Sequence, residues 1–195
     1  MSPQLNDIFS DSWSKLQTGG GKDKPLRNII VSNYALNGIN AYTVVLRDAD
    51  AQNYSIIFYT DYRSPKVKQL QLNGKVSIVM YSDEEKLQLL MKGEAFIHYQ
   101  NKVSLHYWQK NGYKGRRSYL AVPAPSTIID EPTDGLAHIK NAALDEHDPA
   151  GYENFAVVVI KLNYLEYLQL NREGNRRAKF ILDGGNEWQG VWLIP

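Results

Sequence analysis

The chain of 195 residues contains no cysteine. That excludes disulfides, thiolate metal sites and a cysteine nucleophile, and it suits a cytoplasmic protein. An excess of either charge is also missing, since 22 Lys and Arg stand against 21 Asp and Glu. Long-range attraction to nucleic acid or to a membrane surface has no compositional support, and any anion must be caught by local geometry. No run approaches the ~18 apolar residues of a membrane span. The opening "MSPQLNDIFSDSW" has neither a basic leader region nor a continuous apolar core, so it does not read as a signal peptide. The Asn53-Tyr54-Ser55 sequon is then a chance match.

Several catalytic signatures are absent too. The four histidines, His98, His106, His138 and His147, show no metal-ligand spacing, and "DEHD" at 145 to 148 reads as a solvated turn. No nucleophile elbow is present. "GGGKDK" places Asp23 where a phosphate loop needs Ser or Thr, and no strand precedes it, so it reads as a flexible linker.

What is present has the pattern of one domain over residues 1–195. Leu5, Ile8, Phe9, Trp13 and Leu16 recur at helical spacing until Gly19-Gly20-Gly21, so residues 1–21 form an N-terminal helix and linker. Strands are expected over Ile29–Leu36, Tyr42–Arg47 and Tyr54–Thr60, the first two joined by an Asn37-Gly38 turn. A helix follows from Pro65 to the stop at Asn73-Gly74, then a hairpin of "KVSIVMYS" and "LQLLMKGEAFIHY" around Asp83-Glu84-Glu85. Lys102–Gln109 reads as a helix with Val103, Leu105, His106 and Tyr107 on its apolar side. Gly112–Pro132, with Pro123, Pro125 and Pro132, reads as loop, and Leu136, Ile139, Ala143 and Leu144 as another helix. "FAVVVIKLNYLEYLQL" is a long β segment, and residues 176–182 and 187–194 form a closing hairpin around residues 183–186. Short strands with one crossing helix predict an α+β, barrel-like and mostly antiparallel sheet.

The stretch "TDYRSPKVKQL" at 60 to 70 poses a chemical question. Ser64 suits an N-cap and Pro65 the first helical position, yet Arg63, Lys66 and Lys68 crowd a helix end that already carries partial positive charge. Amide donors, a hydroxyl and fixed cations together match a phosphate; the alternative is a solvated basic helix end. Two basic aromatic stretches, 107 to 119 and 171 to 180, suit a phosphorylated ligand, single-stranded nucleic acid or plain exposed loops. Neutral net charge weighs against nucleic acid.

Taken together, "YTVVLR" at 42 to 47, "FYTDYRSPKVKQL" at 58 to 70 and "LQLLMKGEAF" at 87 to 96 resemble the pyridoxamine 5'-phosphate oxidase-like family of FMN-binding split barrels. The resemblance covers roughly residues 28 to 100 well, continues loosely beyond, and ends on "EWQGVWLIP", which looks like the family's last strand. It implies a split barrel with flanking helices, FMN as cofactor, and a homodimer with FMN at its interface. By the same resemblance Tyr59, Thr60, Ser64 and Lys66 lie along the flavin phosphate, Tyr42, Thr43, Val44 and Val45 run beside the ring and ribityl chain, and Arg47 lies near ring and substrate. Gln88 and Lys179 match flavin-contacting positions, while Tyr107 and Arg177 match substrate-side ones.

The departures from the family pattern are specific. Tyr42 and Pro65 stand where the biosynthetic oxidases have arginines, with Arg63 the candidate replacement for one, and "LQLNREGNRRAKF" lacks the oxidases' tryptophan and histidine. The expected activity is flavin-dependent oxidoreduction, with Arg47 and Arg116, Arg117 or Arg177 fixing a charged substrate. No proton-transfer residue is assigned. The alternatives are a non-enzymatic holder of FMN or another phosphate ligand, and a nucleic-acid module.

Overall fold

Alternating burial along the strands decides the architecture. In the computed structural model, which describes residues 1–19, 26–36, 38–139, 149–184 and 187–195, nine strands join in one antiparallel sheet. They are β1 (Asn28–Ala35), β2 (Gly38–Val45), β3 (Asp48–Asp50), β4 (Ser55–Asp61), β5 (Lys75–Ser82), β6 (Leu87–Tyr99), β7 (Phe155–Gln169), β8 (Arg176–Leu182) and β9 (Trp188–Leu193). The order is β2-β1-β5-β6-β7-β4-β3, and β8 and β9 extend from the C-terminal half of β7. The 15-residue β7 therefore pairs with β4 through its first half, with β8 through its second and with β6 along both.

The sheet curls until its two ends meet at one corner. Arg47 N–H donates to the Ile57 carbonyl (2.8 Å), stitching the end of β2 to β4, while Leu46 N–H donates to the Arg27 carbonyl (2.8 Å) and continues the β1–β2 ladder to that corner. Beyond that corner β2 and β4 have no register pairing among the described residues. The gap is spanned by helix α2 (Pro65–Leu72), which Asn40 on β2 holds through a hydrogen bond from Nδ2 to Gln69 Oε1 (3.0 Å). This is a barrel with one open seam.

Inside the barrel Ile29, Val31, Ile56, Phe58, Ile78, Met80, Leu89 and Met91 form the main core. Helix α1 (Pro3–Gly19) stops one end with Leu5, Ile8, Trp13 and Leu16, and the Phe9 ring lies 5.1 Å from both Phe180 and Trp188. A smaller cluster of Ile57, Trp108, Tyr119, Phe155 and Val157 lies across β4 and β7 under helix α3 (Lys102–Lys110).

Several local expectations need correction. β2 begins at Gly38, four residues before Tyr42, because its pairing with β1 continues to the Ala35–Gly38 pair. The short β3 was not foreseen; three residues are too few to show a period. Helix α3 buries Ser104 and Trp108, while Leu105 and His106 are exposed, since α3 turns its polar-looking face onto Phe155. Gly112–Pro132 is not wholly loop: it opens with helix α4 (Tyr113–Arg116) and a 3-10 turn over Arg117–Leu120. Of the helix expected from Leu136, only a 3-10 turn at Ala137–Ile139 is described. Ala143, Leu144, the "DEHD" turn, Asn37, residues 20–25 and residues 185–186 lie outside the described residues.

Candidate functional site

The open seam is where the charged residues of the quoted stretch arrive. β4 ends at Asp61, a tight turn carries Arg63 and Ser64, and α2 starts at Pro65. Ser64 occupies the N-cap with extended backbone (φ −69, ψ 146), but its side chain makes no cap hydrogen bond. Its buried Oγ instead lies 3.2 Å from Thr60 Oγ1, so two hydroxyls point together at the helix tip.

Fewer amides are free there than the sequence suggested. Pro65 has no N–H, Ser64 N–H donates to the Asp61 carbonyl (3.1 Å) and Val67 N–H to the Ser64 carbonyl (3.0 Å). What remains is a cation and a phenol. Lys66 is half-buried, its Nζ lies 5.3 Å from the centre of the Tyr42 ring, and burial holds its pKa below the usual lysine value, with Asp61 partly opposing the shift. Lys66 has no carboxylate within ion-pair distance among the described residues. The Tyr42 hydroxyl is buried with no hydrogen-bond partner, and desolvation pushes its pKa up to about 12, so it stays a proton donor. A buried phenol without an acceptor costs about 1 to 3 kcal/mol. The Lys66 ammonium and the paired Thr60 and Ser64 hydroxyls are the groups that suit a phosphate there, and the Tyr42 ring beside the ammonium leaves its hydroxyl as a further donor within the wall.

Arg63 does not join them. Its Nε and Nη2 grip Asp61 (3.1 and 2.7 Å), and Nη1 and Nη2 reach the carbonyls of Val122 (3.1 Å) and Ala121 (2.8 Å). The bond to Asp61 raises its pKa further. The charge of Arg63, expected on the phosphate, is thus engaged by a carboxylate two residues away.

The pleat divides the other expected residues. Ile56 and Phe58 face the barrel core while Ile57 and Tyr59 face the smaller cluster, so Thr60 and Tyr59 point to opposite sides of β4. Only Thr60 offers its side chain to the helix tip. On β2, Tyr42 and Val44 pack inward and Thr43 is exposed outward, with Val45 next in the alternation.

Tyr59 belongs to a second group. The Arg47 guanidinium lies 5.2 Å from the Tyr59 ring centre, and the Tyr107 ring 5.8 Å from that of Tyr59. Tyr107 Oη donates to Asp48 Oδ2 (3.3 Å), which also pairs with Lys110 (3.1 Å). Burial lifts the pKa of both Tyr59 and Tyr107 to about 12. No carboxylate pairs with Arg47 among the described residues. The structure therefore places Arg47 and Tyr107 on either side of the Tyr59 ring.

Gln88, Arg177 and Lys179 lie elsewhere, on the outer face of the sheet. Gln88 stands in register with Tyr81 and Leu168, and Leu168 with Arg177; Lys179 stands opposite Glu166. Glu166, only 5% exposed, accepts from Arg177 Nε (2.9 Å) and pairs with Nη2 (2.7 Å), while Tyr164 Oη donates to its other oxygen (2.5 Å). Within one chain none of these three reaches the seam, and the Arg177 charge is already answered. Arg116 is also engaged: its Nε donates to the carbonyls of Trp108 (3.1 Å) and Asn111 (2.7 Å), closing the end of α3.

Asp61, Asp48, Tyr119 and Glu166 were missed from sequence. Asp61 had a visible signal, its position two residues from Arg63 across a tight turn; Glu166 had none, because its partner comes from a different strand. Among the described residues no group of three or more His, Asp or Glu side chains could hold a metal ion, and no helix is long and apolar enough to cross a membrane.

Known proteins resemble the chain in part of its sequence and in its fold. Residues 35–99 match the family model described as pyridoxamine 5'-phosphate oxidase, FMN-binding domain, a segment that contains β2, β4, α2 and the seam. No curated protein matches the chain. Among solved structures, a pyridoxamine 5'-phosphate oxidase-related, FMN-binding protein of Nostoc punctiforme PCC 73102 superposes with a TM-score of 0.78 at 19% identity, covering 100% of this chain and 99% of that one. PhzG of Burkholderia lata 383, solved in complex with tetrahydrophenazine-1-carboxylic acid, superposes at 0.75 and 16% identity over 100% and 98%. A putative general stress protein 26 of Jannaschia sp. CCS1 gives 0.51 at 13% identity over 84% and 78%. Residues 35–99 thus resemble the FMN-binding domain of pyridoxamine 5'-phosphate oxidase, and the chain as a whole shares the fold of these solved proteins.

Proposed function

We propose that the chain is an FMN-dependent oxidoreductase that holds the flavin phosphate at the seam and an anionic substrate beside Arg47. The observation that carries the reading is Lys66, a half-buried cation with no carboxylate within ion-pair distance among the described residues, whose Nζ lies over the Tyr42 ring on the helix that the Thr60 and Ser64 hydroxyls begin. Lys66 supplies the charge, and Tyr42, Thr60 and Ser64 supply neutral donors, a set suited to a phosphate monoester. FMN, when bound, supplies hydride exchange with the substrate. The chain's own residues bind and orient: Arg47 fixes negative charge, and the Tyr59 and Tyr107 rings wall off water around it.

A homodimer completes the reading. Gln88 and Lys179, remote from the seam in one chain, sit on an outer sheet face that also exposes Ile30 and Tyr81. A second copy docked there would bring them to its neighbour's flavin.

Titration of the apoprotein with FMN, followed by flavin fluorescence, tests the cofactor site, and a protein that leaves FMN unquenched and unretained on gel filtration refutes it. Anaerobic reduction of the bound flavin by candidate donors, pyridoxamine 5'-phosphate among them, tests the oxidoreductase. The second reading, a flavin holder without turnover, is favoured by the engagement of Arg177 with Glu166, and it predicts retained flavin that no donor reduces.

A further inference from the structure

Arg63 has its donors committed and still sits one residue from the phosphate cradle. Asp61, its partner, is 8% exposed and lies close enough to Lys66 to act on that ammonium. A carboxylate in that position would repel a dianion docking on Lys66. The fork of Arg63 closes on both Asp61 oxygens and is held in that pose by the Ala121 and Val122 carbonyls.

We infer that Arg63 is a positioning residue which masks Asp61, so that a dianion can bind at Lys66 without Arg63 touching it. This rests on the FMN reading above and adds a role for Arg63, a cation of the stretch that lies outside the cradle. The masking is a matter of charge, and the pinned segment at residues 121–122 serves to keep the guanidinium on Asp61.

The test is a cycle of FMN dissociation constants measured by fluorescence quenching on full-length protein. R63A is expected to weaken FMN about tenfold, because the carboxylate then acts unmasked through a partly desolvated path. D61N/R63A is expected to return to within about threefold of the wild type, since removing the carboxylate removes the need for its mask. R63K keeps a charge beside Asp61 and is expected to bind FMN within about threefold of the wild type despite losing the fork. D61N alone leaves Arg63 unmasked in turn, and should bind FMN several-fold more tightly at low salt, with the gain shrinking as salt is added.

R63A with unchanged affinity overturns the inference. So does a D61N/R63A protein as weak as R63A, which would make Arg63 a direct ligand or a purely structural strut. If R63A does not fold, the comparison of R63K and D61N with the wild type decides alone. Failure of the wild-type protein to bind FMN refutes the cofactor reading itself; uniform affinities across variants that all bind refute only the masking role.

Discussion

At the scale of single residues, Lys66 and Tyr42 make opposite predictions for stability and for binding. Replacing Tyr42 by Phe removes a buried hydroxyl that has no partner, so the apoprotein is expected to gain about 1 kcal/mol and a higher Tm, while FMN affinity falls because a donor is lost. A Y42F protein with lowered apo Tm would show that the hydroxyl already has a partner. Lys66→Ala is expected to weaken FMN by about 1.5 to 3 kcal/mol, the worth of a charged hydrogen bond.

The pH dependence of that bond follows from the lowered Lys66 pKa. Burial penalises the ammonium in the folded chain fully below its folded pKa, and the penalty disappears as pH rises to the ordinary value of 10.5, so without ligand this group favours folding more at high pH. A bound dianion reverses the preference by favouring the ammonium. FMN affinity should therefore rise through pH ~6 as the phosphate loses its second proton, then fall on the alkaline side before 10.5, and the alkaline limb should vanish in K66A. Titrations across pH with both proteins check it. Ser64, Pro65 and Lys66 were legible in the sequence because cap, helix start and charge are local signals. The spacing of Asp61 and Arg63 hinted at their pairing without deciding it, because the choice of a guanidinium between a ligand and a neighbouring carboxylate depends on where the loop at residues 121–122 comes to rest.

At the scale of elements, α3 depends on its first turn. Asn101 Oδ1 accepts from Val103 N–H (3.1 Å) and Ser104 N–H (3.0 Å), and Ser104 Oγ accepts from Asn101 N–H (2.9 Å). Asn101→Ala is expected to destabilise the protein by about 1 kcal/mol in thermal or urea unfolding. A sharper constraint lies on β6, where the register with β7 slips between Lys92 and Gly93, and a Cβ on Gly93 would fall 2.1 Å from the Lys161 carbonyl oxygen. Gly93→Ala should cost about 2 to 4 kcal/mol, since backbone must move on one strand or the other. Both β5 and β6 were read to their ends as arms of a hairpin around Asp83-Glu84-Glu85, and β8 likewise from the closing hairpin. Alternation fails for β3, which is too short, and for α3, where Ser104 rather than Leu105 turns inward because its hydroxyl closes the cap and meets Tyr152 Oη (2.9 Å).

At the scale of the whole molecule, the outer face of the sheet is apolar where solvent would favour charge. Ile30, Tyr34, Ile39, Tyr81 and Phe96 are all exposed on strands whose other faces build the core. Beside them a groove of about 590 Å³ opens between the β1–β2 hairpin and α2, lined by Tyr34, Leu36 and Leu72. Such a surface is expected to be covered by a second copy, and sedimentation should give a dimer at micromolar concentration. Ile30→Asp should shift it to monomer and release FMN together with the dimer if residues of both copies hold the flavin. Barrel and helices were foreseeable from pattern, but the seam was not, because closure at Arg47–Ile57 joins residues whose approach no local period encodes.

The long strand β7 also sets when β4 can find its partner during synthesis. β4 leaves the ribosome with only the three-residue β3 to pair with, and its true neighbour, Phe155–Lys161, is synthesised about a hundred residues later. For that interval Ile56 and Phe58 lack the strand they pair beside, so products truncated before Phe155 are expected to expose β4 and to aggregate.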